Sequence, residues 1–397
     1  ESTSGDPVIE LADNSEVADG AEFRGAHLDG SPSNFYFDSP RGFDDIIQFD
    51  DPVSGLERFA DWNSIASFKF EDIDIGDLNL TKDFDAVGII GESGLDLNPS
   101  FGNDGQAPAN QPTMVFLATQ DGPLTVNADP EPDFQYDLTK TTNWMFYARG
   151  NNSDLTFESS FSTLDPSMLE NGGELRAFAE NNVKFQDNAE IEARRIKARS
   201  GNKIELSNSS SLRALVEASA TGGHVSLQTE NGPVNLTADG SGDKIYIESC
   251  ESSCSPSNLS GEVLVESGLA SGQSGQISTQ NAHLRADTLK MKAHGPSGEL
   301  IIGNNTTLSA SDTMRLYAMG SSGKVLFNGN VTLDGGGVAD IAGHTVEVSP
   351  GSTVTNNNTA ATNVFANNHN YNQSNFGQFT DSVDQEPFDT RDGFDDD

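Results

Sequence analysis

Residues 172–206 read GGELRAFAENNVKFQDNAEIEARRIKARSGNKIEL. Apolar side chains fall at every second position in short bursts: Leu175/Ala177/Ala179, Val183/Phe185, Ile191/Ala193, Ile196/Ala198 and Ile204/Leu206. Arg176, Lys184, Glu192, Lys197 and Glu205 alternate with them, and Gly or Asn separates the bursts. Alternation at period two sends one row of side chains into a core and the other into solvent, which is the pattern of a β-strand. This half of the chain offers no amphipathic helix.

The cadence continues downstream. HVSLQT (224–229), VNLTA (234–238), KIYIES (244–249), EVLVES (262–267), QIST (276–279) and HLRAD (283–287) follow. LKMKA (289–293), ELIIG (299–303), MRLYA (314–318), KVLFNG (324–329), VTLDG (331–335) and TVEVS (345–349) complete the series. Bursts marked by Val183, Ile204, Val225, Ile245 and Val263 succeed one another at roughly twenty-residue intervals, and a near-constant period of that size predicts a solenoid. Tandem β-sandwiches are the alternative. They favour two-residue Asn-Gly or Asp-Gly hairpins, and such dipeptides are few here, as at Asn231-Gly232 and Asn328-Gly329. A parallel β-helix tolerates the unequal spacing of these strands. The expected fold is all-β, a right-handed parallel β-helix.

Three regions are expected. Residues 1–150 alternate Phe, Ile and Leu with Asp and Glu, as in GFDDIIQFDD (42–51) and FKFEDIDIGDLNL (68–80), and hold ten of the sixteen Pro before position 133. They read as an acidic, Phe-rich solenoid start or cap. Residues 151–351 read as the regular shaft. Residues 352–397, with nine Asn between 356 and 375, read as an extended acidic tail for docking between subunits.

Only 35% of residues are hydrophobic, which suits a narrow core filled two or three side chains per strand. The 23 Phe against two Trp and six Tyr point to aromatic packing within it. The net charge of −39 is uneven: residues 1–150 carry 29 acids and 7 bases, residues 171–350 carry 20 and 14, and the last 47 carry 8 and 1. Such a chain repels nucleic acid and anionic lipid. It has no run of 18 apolar residues, so no membrane insertion is expected. The chain opens at ESTSGDPVIE without Met, and we read a leader as removed. Cys250 and Cys254, in CESSCSP, are expected to close a local disulfide in a projecting loop. That pairing points to an oxidising compartment and an extracellular or cell-surface location.

The strand-and-Gly cadence of GGELRAFAENNVKF, SGNKIELSNSSSLRA, GGHVSLQTENGPVNLTADGSGDKIYIES and SGEVLVESG resembles the β-helical shafts of filamentous-haemagglutinin-type secreted bacterial proteins. VEVSPGSTVTNNNTAATNVFANNHNYNQSNFGQF looks like the ends of large surface proteins of that style. The resemblance covers about half of the chain. It implies a secreted β-helix of structural or adhesive use.

Signals for catalysis are weak. Asp72, Asp74 and Asp77, and Asp83 with Asp85, alternate with apolar residues as any solvated strand face does. Arg194 and Arg195 beside Glu190 and Glu192 read as surface ladders. The six His are scattered, and no GxSxG, HExxH or Walker sequence occurs. No catalytic residues and no cofactor are expected. DIDIGD (72–77), NPSFGND (98–104), residues 129–133 and DGFDDD (392–397) offer oxygen ligands at short range, but none forms an EF-hand loop, so they read first as solvated acidic loops, with Ca2+ binding as the alternative.

The ends of a solenoid decide the functional reading, because the first and last coils present unpaired strand edges. The lead expectation is a subunit of an extracellular filament or surface fibre, a homopolymer joined end to end. Val8, Ile9 and Leu11 at one end, and Val354, Val364, Phe365, Tyr371, Phe376 and Phe379 at the other, are the candidate polymerisation residues. A monomeric adhesin binding glycan or a host surface is the alternative.

Overall fold

In a computed structural model the described residues are 21–22, 65–70, 73–75, 78–79, 86–91, 95–97, 114–119, 122–126, 143–162, 173–186, 188–216, 223–240, 242–251, 254, 258–357 and 362–371. Every element among them is a β-strand. The strands pair in parallel, coil upon coil, and form a β-solenoid of the parallel β-helix type. The chain divides into two compact units, Glu1–Asn181 and Asn182–Asp397.

In the first unit one stack runs through Ile65–Phe70, Ala86–Gly91, Met114–Thr119, Asn143–Ala148 and Glu174–Ala179. A second runs through Ile73–Ile75, Leu95–Leu97, Leu124–Val126 and Leu155–Phe157. Coiling is thus established by Ile65, within the region expected as a start or cap. The ladder runs on across residue 150, since Leu175 pairs with Trp144. The core here is aromatic: Trp144 and Phe146 meet Phe161 edge to face at 5.0 and 5.5 Å, and Phe146 meets Phe157 at 5.3 Å. Alternating inward positions explain the cluster, because Trp144 and Phe146 point the same way on one strand.

Each coil of the second unit has three faces, taken in chain order as I, II and III. Face I begins with Asn182–Phe185 and Lys203–Leu206, face II with Glu190–Ala193 and Ser211–Val216, and face III with Arg195–Ser200 and His224–Thr229. Inward residues on all three are buried: Val183/Phe185, Ile191/Ala193 and Ile196/Ala198 make one layer of the core. The later coils join face II to face III almost without interruption, so Ala282–Ala293 and Thr306–Ala318 are long strands that bend at a corner, and Val338–Val348 joins face III to face I in the same way.

The corners carry the turn chemistry. Between faces I and II a single residue in the left-handed region recurs, Asn188, Ser209, Asn281 and Asn305, the short polar side chains that tolerate it best. Between faces III and I the turn uses Gly295 and Gly320, with φ of +89° and +90°. A Cβ on Gly295 would overlap the Gln273 carbonyl of the coil before, so stacked coils leave no room for one.

The apparent twenty-residue period is only partly a rung spacing. Val183 does lie on Ile204, but Ile204 then lies on Val234 and Val234 on Ile277, steps of 21, 30 and 43 residues. Val225 and Val263 belong to face III and pair with each other, whereas Ile245 belongs to face II. Insertions at the corners lengthen these coils without shifting the strands. Steps settle at 23 and 25 residues from Ile277 to Leu300 to Val325.

The shaft also extends past residue 351. Thr353–Asn356 pairs with 330–333 and Thr362–Asn370 with 339–347, as ordinary rungs of faces II, III and I.

Candidate functional site

The face II–III corner is where coil length varies most. It is the single residue Arg194 in the first coil, residues 217–223 in the second, residues 252–261 in the third, and Asp287 alone in the fourth. On face III, beside this corner, lies an open cleft of about 480 Å3, lined by Arg195, Lys197, Gly223, His224, Gly261, Glu262, Asp287 and Thr288. Ladder register aligns it: Arg195 lies over His224, His224 over Glu262, and Glu262 over Thr288. The cleft therefore spans four consecutive rungs. Its floor is backbone, with Glu262 N donating to Gly223 O and Thr288 N donating to Gly261 O, both at 2.9 Å. Gly261 sits at φ +64°, where a Cβ would overlap the Gly223 carbonyl.

Apart from Gly223 and Gly261, the lining residues carry polar or charged side chains. Arg195, Lys197 and His224 stand at one end, and Glu262, Asp287 and Thr288 at the other. Lys290 lies 3.4 Å from Glu262 Oε1.

Across the same corner, outward residues of face II form an alternating charge ladder. Glu192 Oε1 lies 3.7 Å from Arg213 Nη1, Arg213 Nε donates to Glu248 Oε2 at 3.2 Å, and Arg285 Nη1 donates to Glu248 Oε1 at 3.3 Å. Rung pairing brings these four together from positions far apart in sequence. Glu248 is 2% exposed. Burial pushes its carboxyl above the ordinary range, and Arg285 and Arg213 pull it back only in part. Tyr246 lies beside the ladder, its ring under the Arg213 guanidinium at 5.8 Å and 5.3 Å from the His283 ring. Burial, with Lys244 and Arg285 nearby, lowers His283 to about 4, so its neutral Nδ1 accepts from Arg285 Nη2 at 3.0 Å.

On face III, Glu266 is the second buried carboxylate of this region. Burial would raise it, but hydrogen bonds accepted from His294 Nε2 at 2.9 Å and from Gln228 at 2.8 Å hold it below the ordinary range. Both carboxylates are fully engaged with fixed partners, which suits them to holding coils together rather than to proton transfer.

The residues singled out from sequence fall differently. Val354, Val364 and Phe365 are buried at 3, 2 and 4% exposure within the last described coil, and are core and packing residues of their own chain. Phe365 packs with Tyr317 and Ala342 in a cluster joined by Met319. The tail expected from 352 therefore begins no earlier than Tyr371, which is half-buried. Val8, Ile9, Leu11, Phe376 and Phe379 lie outside the described residues. Cys250 and Cys254 sit at disulfide distance, Cα to Cα 5.2 Å. Cys250 is not in a projecting loop: it is fully buried and pairs in the ladder with Leu215. The ladder of Glu192 runs to Arg213, and Arg195 stands on a different face.

Of the acidic segments read as solvated loops or calcium sites, Asp74 lies on the strand Ile73–Ile75, and nearly all the rest falls outside the described residues. Among the described residues no group of three or more His, Cys, Asp or Glu could hold a metal ion, and no helix is long and apolar enough to cross a membrane. No protein-family profile, curated protein or solved structure matches the chain.

The cleft residues escaped sequence reading because Lys197, His224, Glu262 and Thr288 look like ordinary outward positions. Only the rung register, hidden by the inserted corners, places them side by side.

Proposed function

We propose that the protein is a structural subunit of an extracellular filament or surface fibre, associating with copies of itself through its solenoid ends. The observation that carries this reading is the ladder of the second unit, which keeps its register on all three faces up to its last described rung, Thr353–Asn356 and Thr362–Asn370. A rung of this kind is a template for the next one, and a solenoid either caps it or extends it with another chain. The cadence shared with filamentous-haemagglutinin-type shafts supports the same use. Cys250 and Cys254 at disulfide distance support an oxidising, extracellular location. The net charge of −39 argues against a nucleic-acid partner.

Sedimentation and negative-stain microscopy of the full chain test this. The full chain should form fibres. A full chain that remains dispersed at every concentration, with and without calcium, contradicts the reading. Both thiols should also resist alkylation in the absence of reductant, and rapid modification of both would contradict the assigned compartment.

A second reading, an adhesive surface for glycan, is favoured by the polar cleft beside the inserted corner. It is compatible with a role in a fibre.

A further inference from the structure

We propose that residues 372–397 run as a strap over face III of their own chain, seating Phe376 and Phe379 on an outward apolar strip formed by Tyr317, Ala342 and Phe365. The inference stands apart from polymerisation and from the cleft.

The strip is out of place by direction. Ladder register puts Lys292 over Tyr317, Tyr317 over Ala342 and Ala342 over Phe365. Leu316, Ile341 and Val364, their neighbours on the same strands, are buried in the core of the coil, so this column points outward. Other outward residues beside it, Lys292, Arg315 and Asp340, are partly exposed as a solenoid surface requires. Tyr317, Ala342 and Phe365 are instead only 5, 1 and 4% exposed, and they pack on one another. Met319 packs against them, but it is one side chain, and the strip covers two rung steps, about 10 Å. The burial is reached within a single copy, so the cover belongs to the same chain.

The C-terminal segment fits that place. The strand that carries Phe365, Thr362–Asn370, ends just before Tyr371. Tyr371 is half-buried, and burial pushes its phenol up. Twenty-six residues follow, with Phe376, Phe379, Phe388 and Phe394 among them. From Tyr371 back along the strand to Phe365 is about 20 Å at about 3.3 Å per residue. The eight residues from Tyr371 to Phe379 reach up to about 27 Å, so an aromatic ring arrives over the strip without strain. Aromatic rings packed on Tyr317 and Phe365 bury large area and favour edge-to-face contact. The segment carries eight acids and one base, and Lys292 and Arg315 border the strip. Asp340, also beside it, accepts from Asn363 Nδ2 at 2.9 Å. Left open, an apolar strip would draw copies together sideways, and the strap removes that route.

Maleimide labelling of the full chain carrying Ala342→Cys tests the strap, with circular dichroism confirming that each variant folds. The introduced thiol should react slowly, and at least tenfold faster once Phe376→Ser and Phe379→Ser are added. Fast labelling without the Phe substitutions, or slow labelling that survives them, would overturn the proposal. The chain carrying Phe376→Ser and Phe379→Ser alone gives a second reading that leaves Ala342 intact. It should bind the apolar dye anilinonaphthalene sulfonate more strongly than the unaltered chain, and equal binding would count against the strap. Ala342→Cys combined with Gln378→Cys should form an intrachain disulfide in dilute solution. A disulfide between chains would give the strip to the tail of a second copy and overturn the assignment to the chain's own tail, and two thiols left free would overturn the strap itself.

Discussion

The coils between Ser211 and Gln276 and those between Gln276 and Asn370 are built on the same three faces, yet they differ in economy. The earlier coils insert residues 217–223 and 252–261 at one corner and 268–275 at another. The later coils turn the first of these corners with Asp287 alone, with Ser311 and Asp312, or with Gly336 and Gly337. Register within each face is unaffected: Val225 lies on Val263 across the longest insertion as squarely as Val263 lies on Leu289 across Asp287 alone. Loop closure grows costly only slowly with length, so insertions at a corner are cheap while a strand out of register would expose its whole inward row. The ladder holds the molecule together, and the corners are free to vary. The cleft lies beside the corner that varies most.

Removing core volume should have the largest effect and should be equal in kind on both sides of the comparison. Phe327→Ala, in a trim coil, is expected to cost about 3–5 kcal/mol, and Leu236→Ala, in an inserted coil, about 2–5 kcal/mol, since both are fully buried. Urea unfolding checks this. A negligible loss for Leu236→Ala alone would mean that the inserted coils are not packed as the trim ones are.

Glycines should then separate the two kinds of corner. Gly295→Ala forces a side chain against the Gln273 carbonyl at φ +89° and is expected to cost about 3 kcal/mol. Gly272→Ala, in the 268–275 insertion, has the same backbone sign at φ +81° but open space around it, so about 1 kcal/mol is expected. Equal losses in thermal unfolding would remove the distinction between packed and open corners.

Acid should act through His283. It ionises near 6.5 when unfolded and near 4 in the fold. The unfolded chain takes up the proton first, so stability is full above about 6.5 and falls as pH drops toward 4. Because the ring is partly exposed, screening leaves on the order of 1–2 kcal/mol. His283→Phe should flatten this part of the stability–pH profile, and an unchanged profile would contradict the assignment. The smallest effect belongs to single ion pairs. Arg199 Nε donates to Glu230 at 2.9 Å, but both are partly exposed, so Arg199→Ala should cost about 1 kcal/mol or less.

The fold was legible from sequence wherever inward positions carry large apolar residues, as at Val183/Phe185 and Val325/Phe327. Residues 306–310 and 338–343 are among the strands that escaped that reading. The first turns Thr306, Leu308 and Ala310 inward, and the second turns Ala339, Ile341 and Gly343 inward, small or polar side chains that blur the alternation. Val364 and Phe365 show the converse limit, since strand-forming residues in an Asn-rich context look the same whether they close their own coil or reach another chain. The cleft was the least legible feature. Arg195 and Thr288 are 93 residues apart in sequence, and only the sum of two corner insertions brings them into one column.

Fibre diffraction from the aligned, purified full chain tests the central claim most directly. A shaft of stacked coils joined end to end predicts fibres with a strong reflection at about 4.8 Å along the fibre axis, because every rung and every joint repeats the strand spacing. Dispersed particles under all ionic conditions, or fibres whose strand spacing lies across the axis, would contradict it.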